Sequence, residues 1–416
     1  MKLNSKKENL IFYTFPITLF SLIPIFLITG PFLSDLSISL IGLIFLIYCF
    51  QKKNFSYFKN QYFFFFLVFW FYLLFNSLIN NFNLDSFKIS FFYIRYGIFV
   101  IAVAALLNFN HKFLKYFFYI IFICFAVLIL HGFYQYFFEE NGPRVSSFFG
   151  NEKILGSYLI RLLPIFLGLS IFILKKKIFT SLFALVFILS EVLIFLSGDR
   201  TAFFYLNLSA FFVLFLSQRL VKIRLLILIS SFLLIVIISF INPTAKIRLV
   251  DYTLDQMNLL NKKKDEPYFI FSVEHTNHYT TAYKMFLDNK VLGVGVKNFR
   301  NFCSDEKYYK NKFSCSTHPH NTYIQILAET GIIGFLFLII VLFYFCKYVF
   351  KHLFLRFNGK YFFTDFQICI LSGVAIYLWP FIPTGNVFNN WLNIIMILNF
   401  PFLIWKRNKN YVLKNS

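Results

Sequence analysis

Apolar runs of about twenty residues, each closed by a short polar or basic break, recur along nearly the whole chain. At 1.5 Å per helical residue, such a run matches a hydrocarbon layer ~30 Å thick and predicts a membrane-spanning helix. About twelve spans follow, near 10–29, 32–50, 62–80, 88–107, 113–136, 154–174, 178–197, 201–217, 223–241, 322–346, 364–383 and 389–405. The fold class is therefore all-α integral membrane. One interval breaks the pattern: residues 242–321 are polar and too long for a mere connector. The chain divides into 1–241 with spans one to nine, 242–321 as one large outer loop domain, and 322–416 with spans ten to twelve and a tail. Within the loop, YTTAYKMFLDNKVLG predicts an amphipathic helix with Tyr283, Phe286 and Leu287 on one side. Gly293 and Gly295, in GVGVKNFR, predict a tight turn after it. A GxGxxG pattern and a preceding strand are both missing, which argues against a dinucleotide loop.

Composition agrees, with 59% hydrophobic residues, 14% charged and a mean hydropathy of +0.68. The basic Met1–Asn9 segment runs into the first span without a small-residue cleavage site, so the expectation is a retained helix and not a cleaved leader. The 65 phenylalanines read as compositional drift with lipid-facing packing. Basic residues set the orientation. With both termini cytoplasmic, the cytoplasmic segments hold 22 lysines and arginines, whereas the short outer connections hold only Lys88, Arg144, Lys153 and Arg200. The net charge of +22 then faces anionic lipid headgroups, so membrane lipid is the expected partner and no nucleic acid is needed.

Polar chemistry concentrates where the loop meets the tenth span. Ser316-Thr317-His318-Pro319-His320-Asn321 sets two imidazoles and a helix-capping Asn at the lip, and Gln325 and Glu329 continue the face of Asn321 inward. Groups of this kind inside a span are costly and mark working sites, although a structural cap with a satisfied polar face is the bland alternative. Arg95, His131, Arg161, Glu191 and Glu329 all fall about 10–12 Å below the outer surface on five helices, like the floor of one cavity. Their plainer reading is two structural ion pairs, Arg161–Glu191 and Arg95–Glu329. Arg200, in SGDRTA at the outer mouth, offers a planar charged fork for a phosphate or pyrophosphate, unless Asp199 neutralises it. Arg144, Lys297 and Arg300 are weaker candidates for that task. Cys49, Cys124, Cys346 and Cys369 behave as apolar residues of the spans. Cys303 and Cys315 share the outer loop and predict a disulfide; the rival is a metal site with His318 and His320, whose spacing fits no familiar zinc pattern.

Taken in order around one outer loop, SGDRTA, GVGVKNFR and HPHNTYIQILAETGIIG resemble the O-antigen ligase and O-antigen polymerase superfamily of bacterial inner membranes. The motifs span roughly residues 140–345, and the topology covers the whole chain. The resemblance implies a GT-C-like, metal-independent glycosyltransferase of the inner membrane, without cofactor and with its site on the periplasmic face. Its donor is a glycan on undecaprenyl pyrophosphate, and its acceptor is lipid A–core or another lipid-linked repeat unit. The resemblance makes His320 the base and Arg200 a pyrophosphate ligand, with His318 and Asn321 at the same lip and Glu329 below. Relatives often carry a second essential arginine in the loop. Here SVEHTNHYTTAYKMF has His275 and His278 instead, which leaves that role open to His278, Arg300 or Arg161.

These residue types suit the reaction. A hydroxyl attacks an anomeric carbon as pyrophosphate leaves, a neutral imidazole takes the proton, and fixed cations meet the departing charge. A lipid-linked oligosaccharide flippase or other transporter shares the span count and buried charge, but should show internal repeats and broken midplane helices, whereas this sequence shows no repeat and one asymmetric outer domain. A receptor or assembly scaffold leaves the HPHN lip unexplained.

Overall fold

The computed structural model describes residues 10–80, 82–139, 145–174, 176–218, 221–241, 246–257, 259 and 271–405. Among these residues every regular element is helical. Seven helices are long and apolar enough to cross a membrane: Leu10–Thr29, Pro31–Gln51, Gln61–Ile79, Leu84–Phe109, His111–Phe138, Leu155–Ile173 and Thr322–Phe357. Five shorter apolar helices accompany them, at Ser181–Ser197, Arg200–Leu216, Arg224–Phe240, Asp365–Leu378 and Asn390–Ile404. Each expected span therefore has an apolar helix, with altered ends. The fourth starts at Leu84 and breaks at Tyr93, where Trp70 Nε1 donates to Ser90 O at 3.0 Å. The tenth continues to Phe357, a length of 36 residues. The eleventh stops at Leu378, and residues 379–389 then run without regular structure.

Two helices form the axis of the bundle. Leu155–Ile173 and Asp365–Leu378 are buried along most of their length, as expected of helices that are apolar all round. Aromatic rings fill the space about them: Phe118 stacks on Phe166 at 5.2 Å, and Phe20 meets Phe117 at 4.5 Å. Ten of the twelve largest fully buried side chains are phenylalanine, so lipid-facing packing describes only the rim, where Phe64, Phe215 and Phe240 lie exposed. The abundance of Phe thus builds the core as well as the rim.

One polar clamp closes the end of the bundle away from the HPHN lip. His352 is fully buried near the far end of the long helix. Its Nε2–H donates to Leu216 O at 3.0 Å, and its Nδ1 accepts from Phe363 N at 3.0 Å.

The loop carries its own small core of Ala282, Met285, Val294, Phe299, Cys303, Tyr308 and Ala328. Its main helix, Val273–Asp288, starts at a Ser272 cap, whose hydroxyl accepts from His275 N. Its buried face is His278, Thr281, Ala282 and Met285, not the side expected from the sequence: Tyr283 and Leu287 are exposed. The buried face meets the HPHN lip through His278 and the loop's own apolar core through Ala282 and Met285.

Candidate functional site

The lip is held by a joint between two glycine motifs. Gly331 adopts a φ of +63° and kinks the helix Thr322–Phe357. A kink frees carbonyls that water cannot reach, and each needs a new donor. Val294 N reaches Ala328 O at 2.9 Å, Gly295 N reaches Glu329 O at 2.9 Å, and the Tyr72 hydroxyl takes Thr330 O. In return, Ile332 N donates to Lys290 O at 2.9 Å. A Cβ on Gly331 would run into Val291 O, and one on Gly293 would sit 2.5 Å from Ala328 O. The helix Gln61–Ile79 adds Asn76, whose Nδ2 donates to Leu292 O at 2.7 Å, while Ser86 Oγ donates to Val296 O. GVGVKNFR and ETGIIG are therefore two halves of one lock.

Glu329 and Gln325 extend this joint. Both are buried; Glu329 Oε1 accepts from Phe299 N at 3.1 Å, and Oε2 accepts from Gln325 Nε2 at 3.0 Å. Gln325 also bonds Asn386 at 2.9 Å and accepts from Val387 N at 3.0 Å. The stripe Asn321–Gln325–Glu329 is real as a face, and its partners are structural. Asn321 caps the helix through Tyr323 N and Ile324 N and donates to Pro380 O at 2.8 Å. The irregular strap 379–389, which periodicity could not announce, thus carries one wall of the lip. Its PTGN turn residues were the available signal.

Four imidazoles converge above. His318 and His320 lie 4.0 Å apart between ring centres, and His275 and His278 stand 5.5 and 5.4 Å from His320. His318 is pinned: its Nε2–H donates to Thr384 O at 3.3 Å, and its Nδ1 takes the Thr317 hydroxyl at 2.9 Å. His320 differs. Its backbone is left-handed at φ +59°, and Thr384 N holds its carbonyl at 2.8 Å. Among the described residues its half-buried ring takes no hydrogen bond. A left-handed non-glycine residue is uncommon and held only by its surroundings. Burial pushes His320 down to about 3, with His318, His275 and His278 adding to the effect. Burial likewise takes His318 down to about 4 and lowers His275 and His278. All four rings are therefore neutral near pH 7.

Arg200 opens its helix at the rim. Its Nη1 donates to Gln256 Oε1 at 2.7 Å and Thr253 Oγ1 at 3.2 Å, and its charge acts on His275. Asp199 caps the same helix, its carboxylate accepting from Ala202 N at 3.1 Å. Arg300 is exposed, and its charge acts on His318. Lys297 is half-buried beside it, and its ammonium is lowered by burial first and then by Arg300. Arg144 lies outside the described residues.

The expected ion pairs do not form. Arg95 bonds Asp35 at 2.9 Å and the Tyr96 hydroxyl at 3.2 Å, while Glu329 is engaged as above. Arg161 bonds Ser157 on its own helix and lies over the Tyr377 ring at 5.3 Å; Glu191 rests against Ser231 and Asn207. His131 is satisfied by Ser147 at 3.1 Å and stacks on Phe148. Depth along a helix follows from counting residues, but the side of the helix does not, and equal depth misled here.

Cys303 and Cys315 form a disulfide with Cα atoms 5.1 Å apart. Joined to each other, and with both His318 nitrogens taken, they cannot form the metal site considered from sequence. Sequence reasoning also missed Tyr279, whose hydroxyl lies 3.5 Å from His320 O, together with Tyr205 and Tyr377 below it.

No curated protein matches the chain. Residues 183–339 match the family model described as O-antigen ligase. The matched stretch holds Arg200, all four clustered histidines, the disulfide and the Gly331 joint, and it supports placing the chain in the O-antigen ligase and polymerase superfamily.

Proposed function

We propose that this protein transfers a glycan from undecaprenyl pyrophosphate to an acceptor hydroxyl, on lipid A–core or on another lipid-linked repeat unit, at the periplasmic face of the bacterial inner membrane. The observation that carries the reading is the His320 ring, which is neutral, free of hydrogen bonds among the described residues, and fixed by a left-handed backbone in a cluster of imidazoles whose member His275 feels the Arg200 charge. The acceptor oxygen attacks the anomeric carbon, the bond from that carbon to the pyrophosphate oxygen breaks, and the hydroxyl proton passes to His320. Arg200 meets the charge that develops on the leaving group, which is the largest task in such a step.

His320 in the free protein is a weak base, because burial and three neighbouring rings disfavour its charged form. An oxyanion arriving nearby favours that form and strengthens the base when the donor is present. His318 positions the lip, Asn321 fixes the helix start, and Glu329 braces the loop against the kink. Arg300 and His278 flank the same mouth.

The test uses purified protein with lipid-linked donor. His320→Ala loses about 10²- to 10⁴-fold in transfer with membrane insertion intact, and His318→Ala loses less. Full activity in His320→Ala removes it from the mechanism. In a deletion strain, loss of glycan from lipid A–core with retained lipid-linked polymer means ligase, and single-repeat chains mean polymerase.

A further inference from the structure

Beneath the histidines, polar groups on three helices are buried with hydrogen-bonding capacity left over. Arg161 is 5% exposed, and its Nε has no hydrogen-bond partner; Nη1 reaches only Ser157, on its own helix. Tyr205 is fully buried with an unpartnered hydroxyl, and the hydroxyl of Tyr377 is buried and unpartnered too. The three converge: the guanidinium lies 5.3 Å over the Tyr377 ring, and its charge acts on both phenols. Tyr279 adjoins Tyr205 and links the group upward to His320 O.

Such an arrangement is expensive unless something completes it. Buried polar groups are normally bonded, and a buried cation is normally paired. Among the described residues no carboxylate forms an ion pair with Arg161, and Asp199 caps its own helix. An arginine fork beside two phenol donors matches a multi-oxygen anion, since each phosphoryl oxygen accepts charge-assisted hydrogen bonds. The position also fits. Gly156 lies against Asp199, next to Arg200, and Arg161 is five residues further along the helix, about 7 Å deeper. Two arginine side chains can close that distance from above and below.

The geometry points to a phosphoryl subsite formed by Arg161, Tyr205 and Tyr377, which takes one phosphate of a polyprenyl pyrophosphate while Arg200 takes the other. It rests on the glycan-transfer reading and assigns the second cation to Arg161. Polyprenyl pyrophosphate and an ordinary anionic headgroup share this chemistry, and competition separates them.

The experiment titrates undecaprenyl pyrophosphate into full-length protein in phosphatidylcholine nanodiscs. Arg161→Gln weakens binding at least tenfold, and Tyr205→Phe and Tyr377→Phe weaken it severalfold, each raising KM for the lipid-linked donor more than it lowers kcat. Phosphatidylglycerol does not compete. The two Phe variants keep the test sound if Arg161→Gln fails to fold, because deleting an unpartnered buried hydroxyl leaves a merely structural cluster as stable or more so. Wild-type affinity in folded variants whose transfer still needs His320 overturns this inference alone. Equal competition by phosphatidylglycerol overturns it as well, making the site a general headgroup pocket. If the wild-type protein neither binds the pyrophosphate lipid nor transfers glycan, the functional reading falls with it.

Discussion

The Gly331 joint and the histidine lip lie on one helix, yet they treat polar groups in opposite ways. In the joint, the carbonyls freed at the kink are capped by backbone or side-chain donors. At the lip and below it, His278, Tyr205, Tyr377 and Arg161 carry buried polar atoms with no partner among the described residues. Satisfied networks rigidify, whereas unsatisfied groups cost stability and are kept where a ligand completes them. Unpartnered buried atoms occur elsewhere too, Asn76 Oδ1 in the joint among them, so what marks the site is their gathering around one arginine below the histidines.

Substitutions can break that contrast from either side. The largest effect belongs to His320→Ala: transfer collapses while the thermal midpoint holds, since the ring bonds nothing. A large fall in midpoint would place His320 in the scaffold. Gly331→Ala does the reverse. Its Cβ meets Val291 O on a left-handed backbone, so about 2–4 kcal/mol of stability is lost, read as a lower midpoint and accelerated proteolysis of the loop; an unchanged midpoint would dissolve the joint. Next comes Cys303→Ser. Opening this short loop removes roughly 3 kcal/mol of constraint on a chain-entropy estimate, so trypsin cuts between the two cysteines faster, as it does in wild-type protein treated with reductant. Equal cutting rates would show that the joint alone holds the loop.

Acid sensitivity is a further effect. His318 and His320 titrate at about 4 and about 3 when folded, below the ordinary value of 6.5. The unfolded chain therefore takes up these protons first as pH falls. Their contribution is complete above about pH 6.5 and declines steadily towards pH 3–4. Thermal unfolding followed from pH 7.5 to 4 should show this slope, and His318→Asn should flatten it. A pH-independent midpoint would mean that the rings charge equally in both states.

Much of the fold was legible because membrane thickness imposes a run length, and each expected span holds an apolar helix. The HPHN lip was legible for a similar reason, as polar groups stand out against an apolar run. What stayed hidden depends on rotation about helix axes. Arg95 turns towards Asp35 and away from Glu329, which no count along the chain reveals. Tyr205 and Tyr377 were hidden by company, since 25 tyrosines look alike until three helices bring two of them to one arginine. Residues 379–383 of the strap read as the end of a span because apolar residues continue past Leu378, and only the bonds of Thr384 and Asn386 show that the strap serves the lip.

The joint also fixes an order of events during synthesis. Asn76 and Asn80 sit near the end of an early helix, and the carbonyls of Leu292 that they serve emerge 216 and 212 residues later. Through most of translation these amides wait inside the bundle without those partners, and the tenth helix cannot settle its kink until the preceding loop has folded back onto it. Assembly thus finishes at a single late closure that fastens the first third of the polypeptide to the last. A chain halted before residue 290 would retain its early helices and lack that fastening, and quality-control proteases of the membrane would have an open bundle to recognise.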